Sequence, residues 1–408
     1  MVAGGPPLDR GGIAVYVAAG ALPMNTTAVT GRFERLQSFR QRHVMAEIAV
    51  FFAAGFLFDI LTLSRIDDVV TLVQQALYLI LLMALMIMDE RYDAGIGAPP
   101  RWLASAWRFS EDAIHFLLGS LLSSFTLFYL KSSSGLSALF FMSILGALLI
   151  ANELPGVRER GPVVRFALLS LSLTSYGALL LPILLGSIRK WMFVAAAALA
   201  CGMMMFCVRL LSRWTGDPPS VHRRVARPAL GVQAVLLVAY FVGAIPPVPL
   251  SVQYIGIYHE VVPPGAQAAE SAEGAEGEVP APIRSYELKH QRPRWKWWQH
   301  GDQDFAARPG DIVYCFARVF APRGFRDAIY VHWLWKGSEG WRDQGRAQLD
   351  ITGGRGDGFR AFATKKNYQP GRWRVEIETE DGRDIGTIHF DLFDDPSSEE
   401  RSFRVDRM

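Results

Sequence analysis

Long runs of apolar residues dominate the first 250 positions of the chain, and short alternating runs dominate the remainder. A helix that spans a bilayer needs about 17–25 consecutive, mostly apolar residues. The segments that reach or approach that length, each bounded by charge or by Pro and Gly, are 44–63, 69–88, 113–130, 134–151, 166–186, 191–211 and 229–247. The pattern predicts an α-helical polytopic membrane domain of about seven transmembrane helices over residues 44–250. A mostly disordered segment, 1–43, is expected before it.

Basic residues are concentrated in every second loop of this predicted domain. Arginines precede the first segment and recur in the second, fourth and sixth loops, whereas the intervening loops hold only Arg65, Lys131, Arg189 and Lys190. Lys and Arg are enriched on the cytoplasmic side of membrane proteins. The N-terminus is therefore expected in the cytoplasm, and an odd number of spans places the C-terminal part outside the membrane.

Beyond residue 282 the apolar positions recur with the period of two that is typical of half-buried strands. Trp373, Val375 and Ile377 alternate with charged residues, and a turn at "EDGRD" leads into a second alternating run. About seven short antiparallel strands predict an all-β, immunoglobulin-like sandwich over 283–395, with a polar tail, 396–408. The segment 251–282 ends in an acidic Ala/Gly/Pro run and is predicted to be a flexible linker.

Composition narrows the function classes. The net charge of +3, without a Lys/Arg block, argues against nucleic acid as a partner. Cys315 is alone in the polar part, so no disulfide forms within that part, and no cysteine spacing typical of a metal site occurs. The β part shows no paired nucleophile and base. We therefore assign no catalytic, cofactor-binding or metal residues from the sequence.

The stretch "RPRWKWWQHGD" is the strongest binding candidate. Trp295, Trp297 and Trp298 interleave with basic residues there. Aromatic rings beside cations suit a membrane interface, sugar rings or anionic envelope polymers. The alternative is that these tryptophans cap the sandwich.

The strand-like stretch "IYVHWLWKG" divides into two faces. Its alternation turns Trp333 and Trp335 inward, and it turns Tyr330, His332 and Lys336 outward. His389 also projects outward and would be a neighbour if the two strands pair. The outward set is a candidate ligand surface, and the alternative is a pair of solvated histidines.

Ionisable residues inside predicted membrane helices are candidate polar sites. They are Asp59, Glu111, Asp112, His115 and Glu153. The spacing of Glu111, Asp112 and His115 puts them on one side of a helix, where with Glu153 they would form a carboxylate–histidine cluster. The alternatives are an Asp59–Arg65 pair and a helix N-terminus whose acids complement the macrodipole.

The C-terminal part resembles the bacterial family defined as domain of unknown function 2914. The residues that carry this resemblance are His332 and Trp333 in an aromatic strand, Thr364–Lys366, Pro370–Val375, the turn Asp381–Gly382, and Phe390. The membrane stretches are similar to those of polytopic members that carry this domain. The resemblance implies the architecture and a bacterial membrane location, and it supplies no catalytic residues.

These observations predict a multi-pass protein of the bacterial inner membrane. Its β domain would lie outside the cytoplasm, in the periplasm of a Gram-negative cell. There it would bind a glycan, peptide or protein partner without catalysis, while the helices contact the lipid bilayer. The alternative is a membrane-embedded enzyme or transporter with a carboxylate/His site, and a signalling role through a separate partner is a third possibility.

Overall fold

The computed structural model describes residues 67–132, 141, 143–148, 161–264, 285–349 and 358–408. The chain divides into two compact units, Met1–Ala54 and Gly55–Met408. Every described residue belongs to the second unit, which contains both helices and strands.

Five helices in the described part are long and apolar enough to cross a membrane. The helical elements are α1 Val69–Asp93, α2 Ala104–Trp107, α3 Ser110–Lys131, α4 Pro162–Leu185, α5 Lys190–Thr215, α6 Pro218–Val221 and α7 Arg227–Phe241, with a π-helical turn, His222–Ala226, that joins α6 and α7. The five long helical segments, α1, α3, α4, α5 and the continuous α6–α7, correspond to five of the seven predicted spans. The predicted segment 44–63 lies outside the described residues, and 134–151 lies outside them except for 141 and 143–148.

Local chemistry explains where these helices begin and end. The Asp68 carboxylate caps α1 by accepting a hydrogen bond from Thr71 N at 3.2 Å. Both α4 and α5 end at a glycine with φ of 66°, Gly186 and Gly216. The last helix ends at Phe241 and not at the predicted residue 247, because Gly243 adopts a positive φ and two prolines follow shortly after it.

The C-terminal part is a two-sheet sandwich with a small third sheet beside it. The strands are β1 Ser251–Tyr258, β2 Glu260–Val262, β3 Glu287–His290, β4 Asp304–Ala307, β5 Val313–Phe320, β6 Ile329–Gly337, β7 Gly340–Leu349, β8 Phe359–Lys365, β9 Gly371–Thr379, β10 Asp384–Asp394 and β11 Arg404–Arg407. The sheet orders are β1-β5-β8, β4-β10-β9-β6-β7 and β11-β3-β2. The first two sheets enclose one core that includes Cys315, Trp333 and Trp373.

The predicted domain boundaries are wrong at both ends. β1 begins at Ser251, directly after the buried Leu250, and it pairs along its length with β5. The segment 251–282 is therefore not a linker from its start, since 251–262 contributes two strands to the β part. The tail 396–408 contains β11, which pairs with β3. Residues 265–284, which include most of the Ala/Gly/Pro run, lie outside the described residues.

The sandwich docks on the ends of α4, α5 and α7 through specific polar contacts. Arg383 donates to Tyr240 Oη at 2.7 Å and to the carbonyl oxygen of Ile188 at 3.4 Å. Asp327 Oδ2 accepts from Ile188 N at 2.6 Å. The side chain of Ile188 is itself part of the sandwich core. The β part is thus fixed to the helices and does not hang from a tether.

These contacts define the two ends of the sandwich. Ser251, Ile329 and Asp384 are the first residues of β1, β6 and β10, and each follows closely after a helix or after a residue that contacts a helix. They therefore lie at the helix-facing end. Strand pairing then places Tyr258, Gly337 and Asp394 at the opposite, far end. At about 3.3 Å per residue, the seven residues from Asp384 to Asp391 span roughly 20 Å.

Candidate functional site

The outward surface of the five-stranded sheet, here called the outer face, carries a cluster of charged and aromatic side chains. The antiparallel register of β6 and β9 sets His332 opposite Glu376 and Tyr330 opposite Glu378. His332 Nδ1 lies 3.7 Å from Glu378 Oε1 and 4.0 Å from Glu376 Oε2. His332 Nε2 lies 3.2 Å from Asp343 Oδ1 on β7. Three carboxylates therefore surround one imidazole.

Two arginines pair with the two glutamates. Arg346 Nε lies 2.6 Å from Glu378 Oε1, and Arg374 Nη2 lies 3.0 Å from Glu376 Oε1. Partial burial raises the pKa of the Glu376 carboxyl, and the positive charge of Arg374 opposes that rise. The result is a ladder of alternating charge across three strands.

The atoms of His332, Glu376 and Glu378 lie within 4.8 Å of one another, and among the described residues this group has the spacing for a metal ion. An ion would have to displace Arg346 and Arg374, because each arginine already binds one of the two glutamates. The charges are satisfied without a cation, so the geometry favours an ion-pair ladder over a metal centre.

Aromatic rings flank the ladder on both sides. The Arg346 guanidinium stacks 3.9 Å from the centre of the Tyr330 ring. Trp341, at the start of β7, lies 4.8 Å beneath the Arg374 guanidinium and 5.8 Å from the His389 ring. The outer face therefore continues from Tyr330 to His389. The predicted outward orientation of His332 is confirmed by the contacts of its ring with Asp343, Glu376 and Glu378.

A polar cavity of about 220 Å³ opens where the outer face meets the far end. We call it the distal cavity; its lining is Gln299, Gln303, Asp304, Arg372, His389, Phe390 and Asp391. Arg372 pairs with Asp391 at 3.3 Å, and Lys296 pairs with Asp304. Partial burial lowers the pKa of His389, and the neighbouring arginines add to this, so the ring offers one donor and one acceptor at neutral pH.

The tryptophan loop, residues 291–303, adjoins this cavity. Trp295, Trp297 and Trp298 are 63%, 78% and 54% exposed, and their rings pack edge-to-face on one another. They do not cap the sandwich core. Gln299, which follows Trp298 directly, lines the distal cavity together with His389. The fold thus brings together two candidate groups that lie about 90 residues apart in the chain.

Buried polar residues anchor the base of the tryptophan loop. Asp302 N donates to the carbonyl oxygen of Ile257 at 2.7 Å, and the Asp302 carboxylate accepts from Gln291 N at 2.8 Å. Burial raises the pKa of Asp302 to about 6. His259 Nε2 lies 3.5 Å from this carboxylate, and burial lowers the pKa of His259 to about 4. At neutral pH the buried histidine is therefore uncharged.

Of the polar residues predicted within the helices, Glu111, Asp112 and His115 lie in the described part of the chain, all on α3. Arg165 on α4 binds Glu111 and also lies 3.2 Å from Asp89 on α1. Glu111 and Asp112 occupy the first turn of α3, which suits the helix macrodipole, and His115 is buried one turn later. Asp59 and Glu153 lie outside the described residues. The contacts of Glu111 are those of a charged helix end.

Sequence reasoning missed several residues that the fold adds to the site. Gln299 and Gln303 come from the tryptophan loop, Trp341 from β7 and Arg372 from β9, so the tertiary fold and not a local pattern brings them to this surface. Lys336, which the sequence pattern assigns to the outward set, lies opposite Trp341 at the far end. The sequence does contain an indication for Trp341. It is a lone tryptophan among the polar residues of β7, a pattern that is typical of an aromatic ring outside the core.

One family matches the chain. Residues 326–392 match the family described as "Protein of unknown function (DUF2914)". The chain carries a DUF2914 segment. That segment contains β6, β7, β8, β9 and most of β10, and therefore the whole ladder of the outer face. The resemblance inferred from the His-Trp strand and the Pro-Gly-x-Trp-x-Val motif is confirmed.

Other comparisons add little. No curated protein sequence matches the chain. Among solved structures, the alkylpurine DNA glycosylase AlkC of Pseudomonas fluorescens, bound to DNA containing an abasic site analog, aligns at 10% identity over 75% of this chain and 76% of that protein. Its TM-score of 0.18 is too low to indicate a common fold or function.

Proposed function

We propose that this protein is a multi-pass protein of the bacterial inner membrane that presents its β sandwich outside the cytoplasm to bind an envelope glycan, peptide or protein. The observation that carries the proposal is the position of the tryptophan loop and the distal cavity at the far end of the sandwich. Exposed aromatic patches on soluble surfaces commonly mark interaction sites. Here the patch lies opposite the end that docks on the helices.

The charge pattern supports the orientation. Arg91, Arg165 and Arg224 share one end of the helix bundle, where they contact Asp89, Glu90 or Trp214. The sandwich docks on the other end. Under the positive-inside rule the arginine-rich end is cytoplasmic, and the sandwich then lies outside.

A thiol-labelling experiment tests the orientation. Ser338 lies in the exposed turn between β6 and β7, and Ser105 is exposed on α2 at the arginine-rich end. We expect Ser338→Cys, and not Ser105→Cys, to react with a membrane-impermeant maleimide when spheroplasts are intact. Detergent should make both reactive, and the parent chain gives the background of its own cysteines. The reverse labelling would contradict the orientation.

Site-specific crosslinking tests the binding function. A photoreactive phenylalanine analogue in place of Trp297 should form an adduct in living cells with an envelope polymer or protein. The same analogue in place of Trp102, which is 80% exposed at the arginine-rich end, is the matched control. No specific adduct at position 297 would contradict the binding function.

The strand order supports an immunoglobulin-like arrangement, which we infer as part of the same proposal. In variable-type immunoglobulin domains one sheet contains strands A, B, E and D and the other contains C″, C′, C, F and G. The order β1-β5-β8 corresponds to A-B-E, and β10-β9-β6-β7 within the order β4-β10-β9-β6-β7 corresponds to G-F-C-C′, with the buried Trp333 on the strand equivalent to C. Nuclear Overhauser contacts between β5 and β8 and between β6 and β9, the pairs equivalent to B–E and C–F, would test it.

A further inference from the structure

The distal cavity is polar but has no excess charge. Asp304 and Asp391 contribute two negative charges, and Lys296 and Arg372 neutralise them through ion pairs. His389 is neutral near pH 7 because its pKa is lowered. Among the described residues that line the distal cavity, an anionic polymer would find no unpaired cation, because Arg372 is held by Asp391. Arg294 is exposed in the adjoining tryptophan loop, so charged probes belong in the test.

The cavity instead offers many planar hydrogen-bonding groups in a small volume. Two primary amides, two carboxylates, a guanidinium and an imidazole converge around about 220 Å³. Amides and neutral imidazoles both donate and accept, and the carboxylates accept. Such a set matches a ligand whose hydroxyl groups both donate and accept. The volume is below the roughly 300–1,000 Å³ of pockets for drug-sized molecules, so a single ring, or the end of a chain, is the appropriate size.

The adjoining aromatic rings supply the complementary apolar contact. The tryptophan loop exposes three indole rings to solvent. Exposed apolar surface is unfavourable in free energy, so such a patch commonly marks a site that a ligand covers. The negative face of an indole attracts positively polarised C–H groups, and the axial faces of sugar rings present such groups. Contact with the bilayer is disfavoured, because the loop lies roughly 20 Å along the strands from the helix-facing end.

We propose that the distal cavity and the tryptophan loop form a binding site for an uncharged saccharide, with one pyranose ring in the cavity and neighbouring rings against the indoles. The inference rests on the proposed function and specifies the chemical class of its ligand. Gln299, Gln303 and Asp304 hydrogen-bond the hydroxyl groups, and Trp297 and Trp298 cover the sugar faces.

Titration calorimetry of the full chain in nanodiscs tests the site, with chitotetraose and cellotetraose as neutral probes. Sulfated dextran and phosphatidylglycerol vesicles are the charged comparisons. We expect saturable binding of at least one neutral probe that persists at high salt. Gln303→Ala and Trp297→Ala should each weaken it about tenfold, which is about 1.4 kcal/mol. Their matched controls, Gln348→Ala and Trp102→Ala, alter residues exposed elsewhere and should leave the affinity unchanged.

A second measurement needs no variant. Bound saccharide should protect the exposed indoles of the parent chain from acrylamide quenching. Binding of only the charged probes, no binding of either neutral probe, or equal effects of the test and control variants would each overturn the saccharide site. If the adduct at position 297 still forms in cells, that result leaves the proposed function standing with a ligand of another class. If the adduct is also absent, both proposals fail.

Discussion

Gly301 holds the tryptophan loop against β1 at a separation that a side chain would prevent. A Cβ atom there would lie 1.9 Å from the carbonyl oxygen of Ile257, and the residue has a φ of 68°. Gly301 and Ile257 form an isolated bridge, and the N–H of the next residue, Asp302, donates to the carbonyl oxygen of Ile257. The position of the tryptophans therefore depends on one glycine that sequence reasoning did not single out.

We expect Gly301→Ala to displace the tryptophan loop and to weaken binding at the distal cavity at least tenfold. Gly310→Ala is the matched control, because Gly310 also has a positive φ, 92°, but nothing lies within 4 Å of its added Cβ. Backbone strain is common to both variants, and only Gly301→Ala adds the clash. Chitotetraose affinity and acrylamide quenching measure the effect, and equal losses in the two variants would disprove this role of Gly301.

His259 and Asp302 give opposing dependences of stability on pH. The pKa of His259 is lowered to about 4, so as pH falls from about 6.5 to 4 the unfolded chain takes up a proton that the folded chain does not, and stability falls. The pKa of Asp302 is raised to about 6, so between about pH 6 and 4 the folded chain holds the extra proton, and stability rises as pH falls. In the parent chain the two contributions largely cancel.

Single substitutions should separate these contributions. In Asp302→Asn only His259 remains, and we expect up to about 3 kcal/mol of stability to be lost between pH 6.5 and 4, at about 1.36 kcal/mol per pKa unit. In His259→Phe, which keeps the ring stacked on Phe305, stability should instead increase over the upper part of that range. Thermal melting at a series of pH values measures how the stability of each variant changes with pH. A change of the same sign in the two variants would contradict the opposing contributions of His259 and Asp302.

At the scale of elements, alternation and apolar length predicted most of what is found. Trp373, Val375 and Ile377 are fully buried, as their period of two indicates, and the five described spans are helical. The failure at 251–262 has a physical cause. In β1 two apolar pairs, Tyr254–Ile255 and Ile257–Tyr258, flank Gly256, and the strand has an irregularity between Val252 and Tyr254, so its alternation is broken. The Ala/Gly/Pro run that follows made the whole segment look like a linker.

The candidate site was only partly predictable for a related reason. Side chains of one strand could be assigned to a face, so His332 and Tyr330 were correctly turned outward. Their partners depend on which strands are neighbours and in what register, and Glu376 and Arg374 come from β9 through a pairing that one sequence does not specify.

The corrected boundary predicts which fragment folds. Residues 250–408 contain every strand of the sandwich, whereas 283–408 lack β1 and β2. Loss of Leu250, Ile257 and Tyr258, each fully buried, removes about 1.5–3 kcal/mol per side chain. That total is comparable to the 5–15 kcal/mol stability of a typical domain.

We therefore expect the fragment 250–408 to melt cooperatively and the fragment 283–408 to remain unfolded or to aggregate. Near-ultraviolet circular dichroism and dispersion of amide proton shifts measure this directly. Cooperative folding of 283–408 alone would show that β1 is an accessory strand and would restore the predicted boundary.

At the scale of the whole molecule, the sandwich and the described helices belong to one compact unit. Ile188 from the α4–α5 loop packs in the sandwich core, and Arg383 from the β9–β10 turn bonds to Tyr240 on α7. A tethered domain would sample many positions, but this contact holds the far end of the sandwich at a set distance from the helices. A ligand bound there is consequently connected to the helix ends through continuous strands.

Gly186 provides a test of this docking. A Cβ atom on Gly186 would lie 2.2 Å from the carbonyl oxygen of Gly324, so Gly186→Ala should push the α4–α5 loop away from the sandwich. Gly216→Ala is closely matched, since Gly216 also ends a helix with a φ of 66° and has nothing within 4 Å of its added Cβ. We expect faster amide hydrogen exchange at Ile188 and Arg326 in Gly186→Ala alone, because Ile188 N bonds to Asp327 and Arg326 N bonds to Gly186 O. Unchanged exchange at both amides would mean that the sandwich is not held by this contact.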